Sequence, residues 1–209
     1  MGDHSARHIG DDVKTFYAGP FVVLASGMAS AEPMTFAIDP DHTYPSFEAD
    51  HMGGMSVWRG KFRSSRGNIT IDRSAHTGHL AITIDTASVE FGHEKMNERA
   101  RSAAIFDVEK YPIATYQGRF VDFRGDVPTA VEGIFTLHGI SKPLRLTIRS
   151  FKCQPSKLTQ KLTCGADAVT HLNRADFGID WGKNLGFNMD VALAIEVEAT
   201  QLELTSESQ

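Results

Sequence analysis

Nine histidines, two cysteines and the pair Arg174 and Asp176 are the side chains of this sequence that could do chemistry. A zinc site needs three or four convergent nitrogen, sulfur or carboxylate ligands. Past residue 31 the histidines include His51, His138 and His171, and only His76 and His79 stand close together. None of these falls at His-x-His or His-x-x-x-His spacing beside a third ligand, so no metal site is assigned. Cys153 and Cys164 do not form a Cys-x-x-Cys pair, which removes zinc ribbons and thioredoxin-type sites. No Gly-x-Ser-x-Gly elbow presents a nucleophilic serine, and no glycine-rich loop opens a helix to hold phosphate. The sequence therefore nominates no catalytic residue and no cofactor, and the chain does not read as an enzyme.

Binding is the chemistry that remains. The chain has 13 Phe, against 2 Trp and 4 Tyr, which suits a β core or an aromatic-lined cavity. Trp58, Phe62, Phe106, Phe135, Phe177 and Trp181 are candidate cavity walls, although alternation alone does not separate a ligand wall from core. His51 shares an alternating face with Phe47 and Ala49. It could donate to a phosphate or quinone oxygen, or it could be a satisfied core histidine. Arg174 could meet an anionic head group, or pair with Asp176 or a neighbouring loop. A net charge of −5 and a pI near 6.0 exclude the basic stripe that nucleic-acid binding requires.

These side chains must be positioned by strands. Apolar residues alternate at Met34–Phe36–Ile38, Leu80–Ile82–Ile84, Val131–Gly133–Phe135–Leu137 and Leu144–Leu146–Ile148. The longest alternation runs from Phe187 through Met189, Val191, Leu193 and Ile195 to Val197. Period two gives each strand one apolar and one wet face. Turn signals stand at Asp39-Pro40-Asp41, Gly53-Gly54, Ser65-Arg66-Gly67-Asn68 and Gly139-Ile140-Ser141-Lys142-Pro143. One polar, helix-favouring stretch covers residues 94–104, and Pro112 ends the segment beyond it. Many even strands and one helix indicate a sandwich or barrel.

The first 31 residues read as a secretory leader. Lys14 precedes the apolar run FYAGPFVVLASGMASA, which ends in the small-x-small site Ala29-Ser30-Ala31. That run is too short to span a bilayer, which takes ~20 apolar residues. Asp3, Asp11 and Asp12 fit such a leader badly, and translation from Val13 is the expectation that removes them. Cleavage after Ala31 leaves a single domain at 32–204, with residues 205–209 as a frayed tail. Export favours oxidation of Cys153 and Cys164, which would face each other at the base of a hairpin; two free buried thiols are the alternative.

The stretches Phe36-Ala37-Ile38-Asp39, His51-Met52-Gly53, Gly60-Lys61-Phe62 and Ile84-Asp85-Thr86-Ala87-Ser88-Val89 form an ordered set. It continues with Arg101-Ser102-Ala103, Phe106-Asp107-Val108, Lys110-Tyr111-Pro112, Gly133 through Pro143, and Asn173-Arg174-Ala175-Asp176-Phe177-Gly178. In this set the chain resembles the YceI-like family of lipid- and polyisoprenoid-binding proteins. The Cys164-Gly165-Ala166-Asp167-Ala168 run resembles a subset of that family. The resemblance implies an all-β fold, an eight-stranded antiparallel lipocalin-like barrel with one short helical segment. It further implies an interior that holds one isoprenoid, quinone or fatty chain, export to the periplasm, no catalysis, and a homodimer in many members. Arg99-Ala100 and Ala104-Ile105 replace a His-Leu pair and an acidic-aromatic pair near the family's pocket mouth, so the head group stays open. A packed, non-catalytic stress-response or interaction domain is the alternative reading, and a lipid-modifying enzyme ranks third.

Overall fold

Alternating apolar residues put one face of each strand against the others, and here the faces close into a ring. The computed structural model describes residues 1–2 and 32–203. The leader, the Val13 start and the tail at 205–209 lie outside the described residues. The strands are β1 (Met34–Ile38), β2 (Tyr44–His51), β3 (Ser56–Phe62), β4 (Ser65–Asp72), β5 (Thr77–Asp85) and β6 (Val89–Glu90). After the helix α1 (Glu94–Arg101) come β7 (Ile113–Arg124), β8 (Val127–Leu137), β9 (Ile140–Pro155), β10 (Leu162–Asn173) and β11 (Asp190–Gln201).

The ring runs β1-β4-β5-β7-β8-β9-β10-β11 and closes through β11 onto β1, all antiparallel. This is an eight-stranded antiparallel β-barrel with one helix. At one end the sheet extends beyond the ring through β2, β3 and β6. β2 pairs with the first half of β11, β3 with β2, and β6 with β3. Between β1 and β2, Asp39 caps a short 3-10 turn through the Asp41 N–H. Closure gives each of the eight ring strands a partner on both sides, and the free edge is confined to the β3 and β6 extension.

α1 is capped by His93, whose Nδ1 accepts from the Met96 N–H. Its buried face is small and polar: Ala100 is fully covered, and Asn97 is 2% exposed. The Asn97 amide satisfies itself within that contact. It donates to Glu90 at 3.0 Å and accepts from the Phe91 N–H at 2.8 Å, which ties the helix to β6. Helix α1, the long β10–β11 connection and the His138-Gly139 turn thus gather at one end of the barrel, and the β4–β5 and β7–β8 turns and the β9–β10 hairpin at the other.

The structure changes several local expectations. Ser65-Arg66-Gly67-Asn68 is not a turn but the start of β4. Gly67 is there for contact with β5, since a Cβ would stand 2.1 Å from the Ala81 carbonyl oxygen. The Gly139–Pro143 turn shrinks to His138-Gly139, both at positive φ, and Leu137 pairs directly with Ile140. α1 stops at Arg101, three residues short of the expected end. Phe187 and Met189 precede the last strand, which starts at Asp190. Cys153 and Cys164 are directly opposite across β9 and β10 and form a disulfide.

A candidate lipid cavity

Two groups of buried side chains fill the barrel. Near the short-turn end, Phe36, Ile71, Leu80, Phe120, Val131 and Leu146 form one cluster. Near the helix end, Phe47, Phe62, Val89, Ala100, Leu137, Phe177 and Ile179 form the other. Between and beside them lies a cavity of about 150 Å³. Its wall is hydrocarbon from nearly every strand of the ring, including Ile38, Ile69, Leu80, Ile82, Leu144, Leu146, Ile148, Leu193, Ile195 and Val197. Such a cavity offers dispersion contacts and exclusion of water, and no directional chemistry.

Tyr116 is the one titratable side chain on that wall among the described residues. Its hydroxyl donates to the Leu144 carbonyl at 3.0 Å, with the Val131 carbonyl oxygen at 3.3 Å. Burial pushes the phenol pKa well above its ordinary value of 10.0. The ring reaches across because Gly133 leaves room for it: a Cβ at that position would lie 2.8 Å from Tyr116 Cζ. With its hydroxyl already used, Tyr116 contributes a ring edge to the cavity rather than an acid or base.

The residues nominated from sequence fall into three places. Phe62 and Phe135 line the cavity. Phe106 and Phe177 stand one layer behind it: Phe106 packs edge-on to Phe62 at 5.4 Å, and Phe177 to Phe135 at 5.6 Å. His51, Trp58 and Trp181 are outside the cavity lining, near the surface of the helix end. His51 lies 4.8 Å from Trp58 and 6.1 Å from Phe187, and its Nδ1 is 3.3 Å from Ser56 Oγ. Trp181 packs on Phe187 at 5.5 Å and carries the Arg99 guanidinium over its face at 4.7 Å. Arg174 donates to the Ile179 and Trp181 carbonyls, each at 2.9 Å, so it staples the loop that carries Trp181. Desolvation of that guanidinium lowers its pKa.

A chain of ring contacts links cavity to surface. It passes from Phe62 to Phe47 at 5.6 Å, to Phe91 at 5.5 Å, and to Trp58 at 6.1 Å. Gly60 makes this stack possible, because a Cβ there would fall 2.5 Å from Phe47 and 2.8 Å from Phe91. At the helix end the barrel is therefore stoppered by rings. The aliphatic wall was visible in the sequence as alternation, but ring size drew attention to residues that stand behind it.

Among the described residues, no three His, Cys, Asp or Glu side chains converge on a point where a metal ion would sit. No helix among them is long and apolar enough to cross a membrane.

Known proteins share this architecture. The chain is 28% identical over 181 residues to a UPF0312 protein of Azotobacter vinelandii, covering 86% of this chain and 92% of that one. A UPF0312 protein of Pseudomonas putida strain W619 is 27% identical over 175 residues, covering 83% and 90%. Among solved structures, Burkholderia cenocepacia BcnA superposes with a TM-score of 0.65 at 19% identity, over 78% of this chain and 99% of that one. The Campylobacter jejuni YCEI protein gives 0.60 at 25% identity, over 71% and 88%. A polyisoprenoid binding domain from Saccharophagus degradans gives 0.57 at 16% identity, over 81% and 99%. The sequence profile of the YceI-like domain matches residues 36–199, and the chain belongs to that family.

Proposed function

We propose that this protein is an exported, non-catalytic carrier that holds the tail of an isoprenoid-type lipid, such as a quinone or a polyprenyl phosphate, inside the barrel. The observation that carries this reading is the cavity wall: a closed ring of strands presents almost only hydrocarbon to an internal space. Recognition there comes from burial, at about 25 cal/mol per Å² of apolar area, less the cost of ordering the chain. The polyisoprenoid binding domain of Saccharophagus degradans has the same fold, which makes the reading consistent with its architecture. The disulfide supports export to the periplasm after cleavage at Ala31, because such bonds persist in oxidising compartments.

The size of the cavity sharpens the proposal. An engineered cavity of about 150 Å³ holds a benzene-sized molecule. A space of this size thus takes roughly one or two isoprene units. A longer tail requires side chains or strands of the wall to part. The same modest volume favours the second reading, a packed barrel serving a structural or stress-response role.

Native mass spectrometry of protein purified gently from its own periplasm, with organic extraction of copurifying material, separates the two. A stoichiometric isoprenoid supports the carrier, and the mass also reports whether two copies pair. A bare protein that fails to bind added quinone or polyprenyl phosphate rejects the carrier in favour of the packed barrel.

A further inference from the structure

We propose that the seam between β8 and β9 is a headgroup site for a phosphate-bearing amphiphile whose tail lies in the barrel cavity. The inference rests on the lipid-carrier reading and adds the head group and its place.

The seam is built by strand geometry. β8 and β9 pair from Leu137↔Ile140 to Ala130↔Thr147 and no further. Pro128, which has no N–H to donate, lies just past the last pair. On its other side β9 bulges: Ile148 pairs with Ala168 and Ser150 with Asp167, leaving Arg149 as the extra residue. Bulges bend a strand and re-aim its side chains. The result is an open groove of about 410 Å³ between the separating strands.

This groove adjoins the apolar cavity. Ile148 and Phe151 line both spaces. The outer rim carries Arg124, Arg145 and Arg149. Arg145 is engaged by Glu132 at 2.7 Å and by Asp122. Arg124 and Arg149 are exposed, and neither enters an ion pair among the described residues. Asp122 and Glu132 are matched by Arg145 and Asp126 by Arg73 at 2.5 Å, while Asp167, across the bulge, accepts from the groove residue Ser150 at 2.5 Å. Two uncommitted guanidinium groups therefore stand on the rim of a groove that shares two wall residues with a hydrocarbon cavity. Guanidinium pairs phosphate through parallel N–H···O bonds, and hydrocarbon walls take a prenyl tail. Groove and cavity together match an amphiphile, with the head outside the seam and the tail passing between Ile148 and Phe151.

The test uses the full processed chain and three probes, farnesyl phosphate, farnesol and inorganic phosphate, titrated at low salt by calorimetry. The wild type is compared with the double variant Arg124→Ala/Arg149→Ala, both changes being at exposed positions, with the fold of each protein checked by circular dichroism. Charge-assisted hydrogen bonds to two guanidinium groups give farnesyl phosphate an advantage of roughly ten- to a hundredfold over farnesol. That advantage shrinks with added salt and disappears in the double variant, while farnesol binds both proteins equally. Equal binding of farnesol and farnesyl phosphate by the wild type overturns the seam and leaves the carrier reading standing. So does an advantage that survives the double variant, which puts the head elsewhere, for example at Arg174. Inorganic phosphate binding as tightly as farnesyl phosphate also overturns it, since the groove is then a free-anion site unconnected to the tail. Failure of all three probes to bind removes the carrier reading, and the seam falls with it.

Discussion

Ala168→Phe tests the cavity most directly. Ala168 is 6% exposed and forms part of the cavity wall on β10. The substitution projects a phenyl ring into a space of about 150 Å³, the size that holds benzene elsewhere. Empty volume costs about 24 cal/mol per Å³, so filling this cavity is worth roughly 3.6 kcal/mol. A bound tail recovers that energy in the wild type, and the introduced ring takes up the same space in the variant. Affinity for a short prenyl ligand such as farnesol should therefore fall by roughly several hundredfold. Stability should change little, because burial of the ring contributes about 2–3 kcal/mol and imperfect fit costs about 1–3 kcal/mol. The assay is calorimetric or dye-displacement binding beside thermal melts. Ala194→Phe, on the exposed face of β11, is the control and should bind like the wild type. A folded Ala168→Phe protein that binds farnesol at wild-type strength would refute the reasoning, because the tail would then not occupy this space.

Replacing Cys153 and Cys164 together by serine should lower stability by roughly 2–3 kcal/mol in denaturant melts, since the bond closes a short loop whose entropy is otherwise released on unfolding. Gly133→Ala should destabilise by about 1–3 kcal/mol, because the new Cβ meets the Gln117 carbonyl oxygen at 2.3 Å and Tyr116 Cζ at 2.8 Å; a neutral result would mean that β7 and β8 shift freely. Glu90 supplies a pH dependence. The Asn97 amide, then the Gly92 N–H, hold its carboxyl below the ordinary value of 4.5. A depressed value means that its stabilising contribution is complete above pH 4.5 and is lost as pH falls through the folded-state value. Acid titration followed at α1 by hydrogen exchange should show the helix loosening in that window, and Glu90→Gln should remove this step.

The sequence determined most of the strands and the single helix and favoured the disulfide, because each depends largely on local pattern. Alternation fixes which side of a strand is apolar, and the hairpin places Cys153 opposite Cys164. It also marked Phe62 and Phe135, which the barrel brings to the cavity. Local pattern did not determine which glycines turn the chain. Gly67 and Gly133 sit inside strands because neighbours approach them, and a neighbour across a sheet leaves no mark near its partner in sequence. Nor did it separate wall from backing. Phe106 and Phe177 carry rings as large as those of Phe62 and Phe135, but closure of the barrel sets them one layer further out. Arg174 shows the same limit: the carbonyls it holds belong to a loop whose path depends on the packed end of the barrel. The seam at β8 and β9 is the most tertiary feature, since it exists only where the end of one pairing meets a bulge in the next. Sequence supplied Arg124 and Arg149 as ordinary surface charges, and only the closed ring put them beside a hydrocarbon cavity.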